Sequence, residues 1–90
     1  MTNSLTNNDG GLCVLKYEAH GVSELPNAYS DGITFMNLGN ETQYPLNYAV
    51  LITFKLGFIG RIVQIIVRYT GEAQIRSADN QTWSNWRTLA

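Results

Sequence analysis

One cysteine, one histidine and two prolines are all that 90 residues carry of those types. Charge is sparse too: six basic residues stand against seven acidic ones, for a formal net charge of −1. A lone Cys13 cannot close an internal disulfide and a lone His20 cannot build a metal site, which excludes a disulfide scaffold and a zinc module. Cys13 alternates with Leu15 and Tyr17 and is expected as a buried thiol; His20 is expected at an exposed strand end. No run of Lys or Arg is present to neutralise a series of phosphates, so nucleic acid is not an expected partner. No stretch approaches the roughly 20 apolar residues of a membrane-spanning helix, and no membrane insertion is expected. Catalytic patterns are missing as well. No two of the seven acids are spaced to pair on one strand face, and neither a G-x-S-x-G elbow nor a phosphate-binding glycine loop occurs. The expectation is a protein that is not an enzyme and carries no cofactor.

What is present is apolar and β-forming. Hydrophobic residues make up 44% of the chain. Residues 1–11, Thr/Asn/Gly-rich with no apolar period, read as a linker or arm, and residues 12–90 as one small domain. Leu12 to His20 alternates like a strand. Ser23-Glu24-Leu25-Pro26-Asn27 suggests a turn or short helical start, capped by Ser23 with Pro26 in the first turn. Ile33 to Leu38, Tyr48 to Leu56, Arg61 to Tyr69, Glu72 to Ser77 and Trp86 to Leu89 are the further strand candidates. The central two are joined by Gly57-Phe58-Ile59-Gly60, a hairpin signal. The apolar tip Phe58-Ile59 either tucks back onto the domain or meets a partner. No window sustains a helical period. The fold class is mainly β, a small antiparallel meander or sandwich with little or no helix.

Both central strands are apolar on both faces. Val50, Ile52 and Phe54 oppose Ala49, Leu51, Thr53 and Lys55; Val63, Ile65, Val67 and Tyr69 oppose Ile62, Gln64, Ile66 and Arg68. An antiparallel sheet with one wet face alternates more cleanly. The face bearing Leu51, Ile62 and Ile66 is therefore expected to need cover from N-terminal segments, from neighbouring subunits or from a second sheet of the same chain. A chain this short buries only about 60–65% of its unfolded surface, which favours an oligomer.

The residues able to contact a ligand lie toward the C-terminal half. Arg68 and Arg76 fall on neighbouring strands beside Gln64 and Gln74. They require either an acidic partner within the chain or an anionic ligand such as a phosphate or acidic sugar. Tyr44, Tyr69, Trp83 and Trp86 are flat rings able to stack on pyranoses. Trp86 is expected in the core. Trp83 and Arg76 either bracket a ligand or stack on one another.

The stretch Gln74-Ile75-Arg76-Ser77 followed by Thr82-Trp83-Ser84-Asn85-Trp86-Arg87-Thr88-Leu89 resembles the pyocin-knob type C-terminal domains of phage tail fibres, baseplate proteins and phage-tail-like bacteriocins. Those domains close with an Arg-bearing strand, a polar loop and a W-S-x-W-x-x-L strand. Glu24-Leu25-Pro26-Asn27, Gly32-Ile33-Thr34-Phe35-Met36 and Arg61 to Gln64 fit the same layout, so the resemblance spans residues 12–90. It departs at Ile75, where many relatives have an aromatic. The resemblance implies a homotrimer in the virion, at a tail tip or fibre. The implied partners are other tail proteins and a host cell-surface glycan or teichoic-type polymer, with Trp83, Arg76, Arg68 and Tyr44 as candidate ligand-binding residues. A purely structural assembly module of the tail, or an accessory domain of a tail-associated hydrolase, is the alternative.

Overall fold

The computed structural model describes residues 15–57 and 60–90. The linker expectation for residues 1–11, the Cys13 thiol, residues 12–14 of the first strand candidate and the Phe58-Ile59 tip lie outside the described residues. Seven strands form one sheet: β1 (Leu15–Tyr17), β2 (Gly32–Leu38), β3 (Ala49–Leu56), β4 (Arg61–Arg68), β5 (Ala73–Asp79), β6 (Thr82–Trp83) and β7 (Arg87–Thr88). Pro26–Ala28 forms a 3₁₀ turn. Pro26 sits in its first turn, as expected for a residue with no N–H to lose, but the preceding Leu25, not Ser23, is the capping residue.

The spatial order follows the chain from β1 to β6, with β7 also on β5. Strands β2 to β5 form the expected antiparallel meander. The exception is β1, which runs parallel to β2, Leu15 opposite Ile33 and Tyr17 opposite Phe35. A parallel pair cannot be joined by a tight hairpin, so the chain between Tyr17 and Gly32 has to cross a sheet face. The β4–β5 hairpin closes with the Gly71 N–H donating to the Arg68 carbonyl at 2.9 Å and the Arg68 N–H to the Glu72 carbonyl at 2.8 Å. Gly71, at φ +98°, supplies the left-handed position. The β5–β6 turn places Asn80 and Gln81 at φ 63° and 76°, a positive-φ pair without glycine and therefore hard to foresee.

Among the described residues the sheet is single, and loops pack over only one of its faces. Leu51 and Ile62 are 1% exposed and Ile66 is 0%. Of the covers expected for this face, segments of the same chain supply it, and neighbouring subunits are not needed to bury these three residues. The segment 18–31, the loop 39–48 and the tryptophans Trp83 and Trp86 lie over it. They complete two small cores. One joins Leu38, Tyr44, Ala49, Leu51 and Ile66, with Leu46 and Trp86 packed against it. The other joins Tyr29, Ile62 and Ala78, with Trp83 against it. The uncovered face is the opposite one. Strand register aligns Tyr17, Phe35, Ile52, Ile65 and Ile75 in a row across five strands. A second row runs Ile33, Phe54, Val63.

Candidate functional site: a buried arginine clamp beneath an open sheet face

Between the two apolar cores runs a polar row. Register places Thr34, Thr53, Gln64 and Arg76 side by side on β2, β3, β4 and β5. All four are buried, Arg76 at 6% exposure. Gln64 connects them: its Nε2 donates to Thr53 Oγ1 at 3.1 Å, and its Oε1 accepts from Arg76 Nε at 2.7 Å. A buried amide whose orientation is fixed at both ends specifies strand register, because a slip of one residue would leave it unpaired.

Arg76 ends the row beneath three aromatic rings. Its guanidinium carbon lies 3.8 Å from the Trp83 ring centroid, 4.7 Å from that of Trp86 and 5.9 Å from that of Tyr44. Among the described residues no carboxylate lies within ion-pair distance of Arg76. The charge is held by ring faces and by Gln64. Burial pulls the guanidinium down from its ordinary value, a pull opposed by the Tyr29 and Tyr44 hydroxyls beside it. Arginine nevertheless stays charged at any working pH.

The local chain path explains why two tryptophans three residues apart can enclose one arginine. Strand β6 pairs with the end of β5 (Ala78 opposite Trp83) and β7 with its start (Ile75 opposite Arg87). Residues 84–86 bulge away between them. Ser84 fastens the bulge: its N–H donates to the Ser77 carbonyl at 2.7 Å, and its Oγ accepts from the Ser77 N–H at 3.0 Å. The W-S-x-W segment is thereby a clamp: Ser84 bonds β5 while Trp83 and Trp86 meet Arg76. Trp83 Nε1 also donates to the Glu24 carbonyl at 2.8 Å, tying the clamp to the covering segment. Tyr44 OH donates to the His20 carbonyl at 2.9 Å. Burial, and then the neighbouring Tyr29 hydroxyl, push the Tyr44 phenol well above its ordinary value.

Arg68, the fourth candidate, stands apart. Its Nη1 is 2.7 Å from Glu72 Oε1 and its Nη2 donates to Asn47 Oδ1 at 2.9 Å. Of the expected outcomes for the two arginines, Arg68 takes the acidic partner and Arg76 the aromatic one. Trp86 packs against the larger core.

Sequence reasoning missed two groups. His20 is not at an exposed strand end: its side chain is 10% exposed, with Nε2 2.8 Å from Glu18 Oε1 and Nδ1 2.8 Å from Glu24 Oε1. Its ring lies against Tyr29, centroids 3.9 Å apart. Burial alone would raise the Glu18 carboxyl. The Ser30 hydroxyl and N–H, with His20 and Lys16, outweigh it and hold Glu18 at about 2. The spacing Glu18-x-His20-x₃-Glu24 was the available signal. The second group is the buried polar row, signalled by Thr53, Gln64 and Arg76 each interrupting an apolar or small-residue face.

These features define a class: a small, single-sheet, mainly-β domain, stapled on one face by its own loops and, among the described residues, open and apolar on the other. The chain belongs to the family of the third domain of the phage-like element PBSX protein XkdV, whose family model matches residues 14–88. It is thus a domain of a phage-tail or baseplate component, a virion or prophage-encoded structural protein that associates with other tail proteins. No curated protein and no solved structure matches the chain.

Proposed function

We propose that this domain is a non-enzymatic assembly module, joined to its neighbours in the tail through the open sheet face. The observation that carries this reading is the row of exposed Tyr17 and Phe35 and half-buried Ile52, Ile65 and Ile75. Tyr17 is 54% exposed and Phe35 42%, on a face that in a free domain would be polar. Contiguous apolar patches of this kind mark interaction surfaces. The matched family supports a place in the tail, and the W-S-x-W ending supports a kinship with pyocin-knob domains. The test is to introduce Ile65→Lys into the tail structure that carries this chain and to count assembled particles by negative-stain microscopy. Particles lacking the domain, with the free variant still folded, are expected. Normal incorporation would overturn the reading.

Host-surface recognition is the second reading, and one feature favours it. Arg76 lines a surface hollow with Ser84, Asn85 and Arg87, and Trp83 lines another with Arg61 and Asp79. A teichoic-type phosphate or acidic sugar would meet the exposed Arg87 first. Arg76 and Tyr44, both buried, would support that contact more than make it. Titration of host cell-wall polymer into the wild type and Arg87→Ala tests this directly, binding lost in the variant being the expected result. The homotrimer implied by the resemblance is compatible with either reading.

A further inference from the structure

The segment 18–31 that covers the sheet is pinned by one imidazole, that of His20. We infer that a proton on His20 fastens this segment, and that raising the pH through the titration of the ring loosens the segment and the clamp around Arg76 with it.

The ring meets a carboxylate at each nitrogen: Nε2 is 2.8 Å from Glu18 Oε1 and Nδ1 is 2.8 Å from Glu24 Oε1. A neutral imidazole has one N–H, and its other nitrogen presents a lone pair. One of the two contacts would then set that lone pair against a carboxylate oxygen. Neither carboxyl supplies the missing proton. Against the upward pull of burial, the Ser30 hydroxyl and N–H, His20 and Lys16 hold Glu18 at about 2. The Gly21 N–H, and then His20, keep Glu24 below its ordinary value. Both hydrogen bonds therefore call for the doubly protonated ring.

The other groups around the ring are compatible with that charge. Tyr29 lies against it, centroids 3.9 Å apart with 37° between the planes, close enough for a cation to gain from the ring face. From β2, Met36 Sδ accepts from the His20 N–H at 3.3 Å; from the 39–48 loop, the Tyr44 hydroxyl donates to the His20 carbonyl. The neighbouring cations are Lys16, 3.3 Å from Glu18 Oε2, Lys55 on the Tyr29 carbonyl at 2.6 Å, and Arg76 beside the Tyr29 hydroxyl. Among the described residues none of the three shares a hydrogen bond with the imidazole.

The ring joins two anchors. Glu18 also accepts from the Ser30 hydroxyl and, at 2.9 Å, from the Ser30 N–H, while Glu24 accepts from the Gly21 N–H at 2.9 Å. From there the contacts lead to the clamp. The Glu24 carbonyl takes the Trp83 indole N–H at 2.8 Å, Tyr29 packs edge-on against Trp83, and Trp83 lies over Arg76. Loss of the proton turns a lone pair toward one carboxylate and removes the cation from Tyr29. It thus weakens both contacts that hold Trp83 to the covering segment.

The test is a titration of the 90-residue chain between about pH 5 and 9, a range that spans the charge change of an ordinary imidazole. Ring nitrogen shifts in NMR follow the proton on His20, the chain's one histidine, and amide exchange reports on the segment. A one-proton step is expected, at which protection of the Gly21 and Ser30 amides falls by about tenfold and tryptophan fluorescence changes in parallel. The Leu51 and Ile66 amides, in the central strands, should keep their protection. His20→Gln should abolish the step and leave Gly21 and Ser30 weakly protected at every pH. Glu24→Gln, which keeps the ring and one carboxylate, should make the fall smaller, and it serves as the test if His20→Gln does not fold. A ring that carries only one proton at pH 5, a ring still doubly protonated at pH 9, a titration that leaves Gly21 and Ser30 protection unchanged, or a step that persists in His20→Gln would overturn the proposal.

Discussion

Replacing Gln64 by Leu should cost very different amounts of stability depending on what stands at position 76. With Arg76 present, Gln64→Leu removes the only side-chain acceptor bonded to the guanidinium among the described residues, at 2.7 Å from Nε, and leaves Thr53 Oγ1 without its donor. Trp83 and Trp86 remain, but a cation over a desolvated ring gains only about 2 kcal/mol. Stranding a buried charge typically costs about 3–5 kcal/mol. The expected penalty is thus about 3–5 kcal/mol, a large part of the roughly 5–15 kcal/mol that stabilises an ordinary domain. With Met at 76, an unbranched side chain of comparable reach fills the space between the indoles. The Gln64 amide is then already short of a partner, and Gln64→Leu trades an unsatisfied polar group for an apolar one at a cost below about 1 kcal/mol. Urea unfolding followed by tryptophan fluorescence reads this cycle, because the chain's two tryptophans are those of the clamp. Equal costs in the two backgrounds, within about 0.5 kcal/mol, would refute the idea that Gln64 serves the Arg76 charge.

Four further outcomes follow from the same contacts. Trp86→Ala, which empties the larger core beside Tyr44 and Leu38, should destabilise by about 3–5 kcal/mol in urea melts. Ile62→Asp should unfold the chain, not merely separate subunits, because Ile62 is 1% exposed within one copy; loss of the circular dichroism signal checks this. Gly71→Ala forces a Cβ into φ +98° and should lower stability by about 1 kcal/mol on the same melts. Glu18 is held at about 2 in the folded chain, below its ordinary 4.5. Its contribution is therefore complete above about pH 4.5 and lost as pH falls toward 2, so Glu18→Gln should flatten the acid limb of a stability-against-pH curve.

How much of this was legible in the sequence differs by element. The central hairpin was plain: YAVLITFKL and RIVQIIVRY are dense in β-branched residues and carry glycines where the chain reverses. Two-sided apolarity was legible too, but which side was wet was not. That choice depends on where the 18–31 and 39–48 segments fold, and those stretches show no apolar period. Their anchors are scattered single residues such as Tyr29 and Tyr44, each buried by a contact distant in sequence. The parallel pairing of β1 was hidden for the same reason, since nothing local distinguishes a parallel edge strand of three residues from an antiparallel one. At the candidate site, strand alternation placed Gln64, Arg68 and Arg76 on one face, as observed. The stacking of Trp83 on Arg76 was one of two open alternatives. The joint closure by Trp86 was not legible, because it depends on the Ser84 bulge between β6 and β7. His20 shows the limit from the other side: the alternation that puts it at a strand end says nothing of two carboxylates returning to meet it.

Side-chain footprinting of the domain, free at nanomolar concentration and again within assembled tail particles, tests the central claim most directly. A carbene probe that inserts into exposed C–H bonds should label Phe35, Ile52 and Ile65 in the free domain and leave Leu51, Ile62 and Ile66 unlabelled. In the particle the first group should become protected. If Phe35, Ile52 and Ile65 stay as reactive in the particle as in the free domain, while protection appears around Trp83 and Arg87, the open face is not the assembly surface and the account is contradicted.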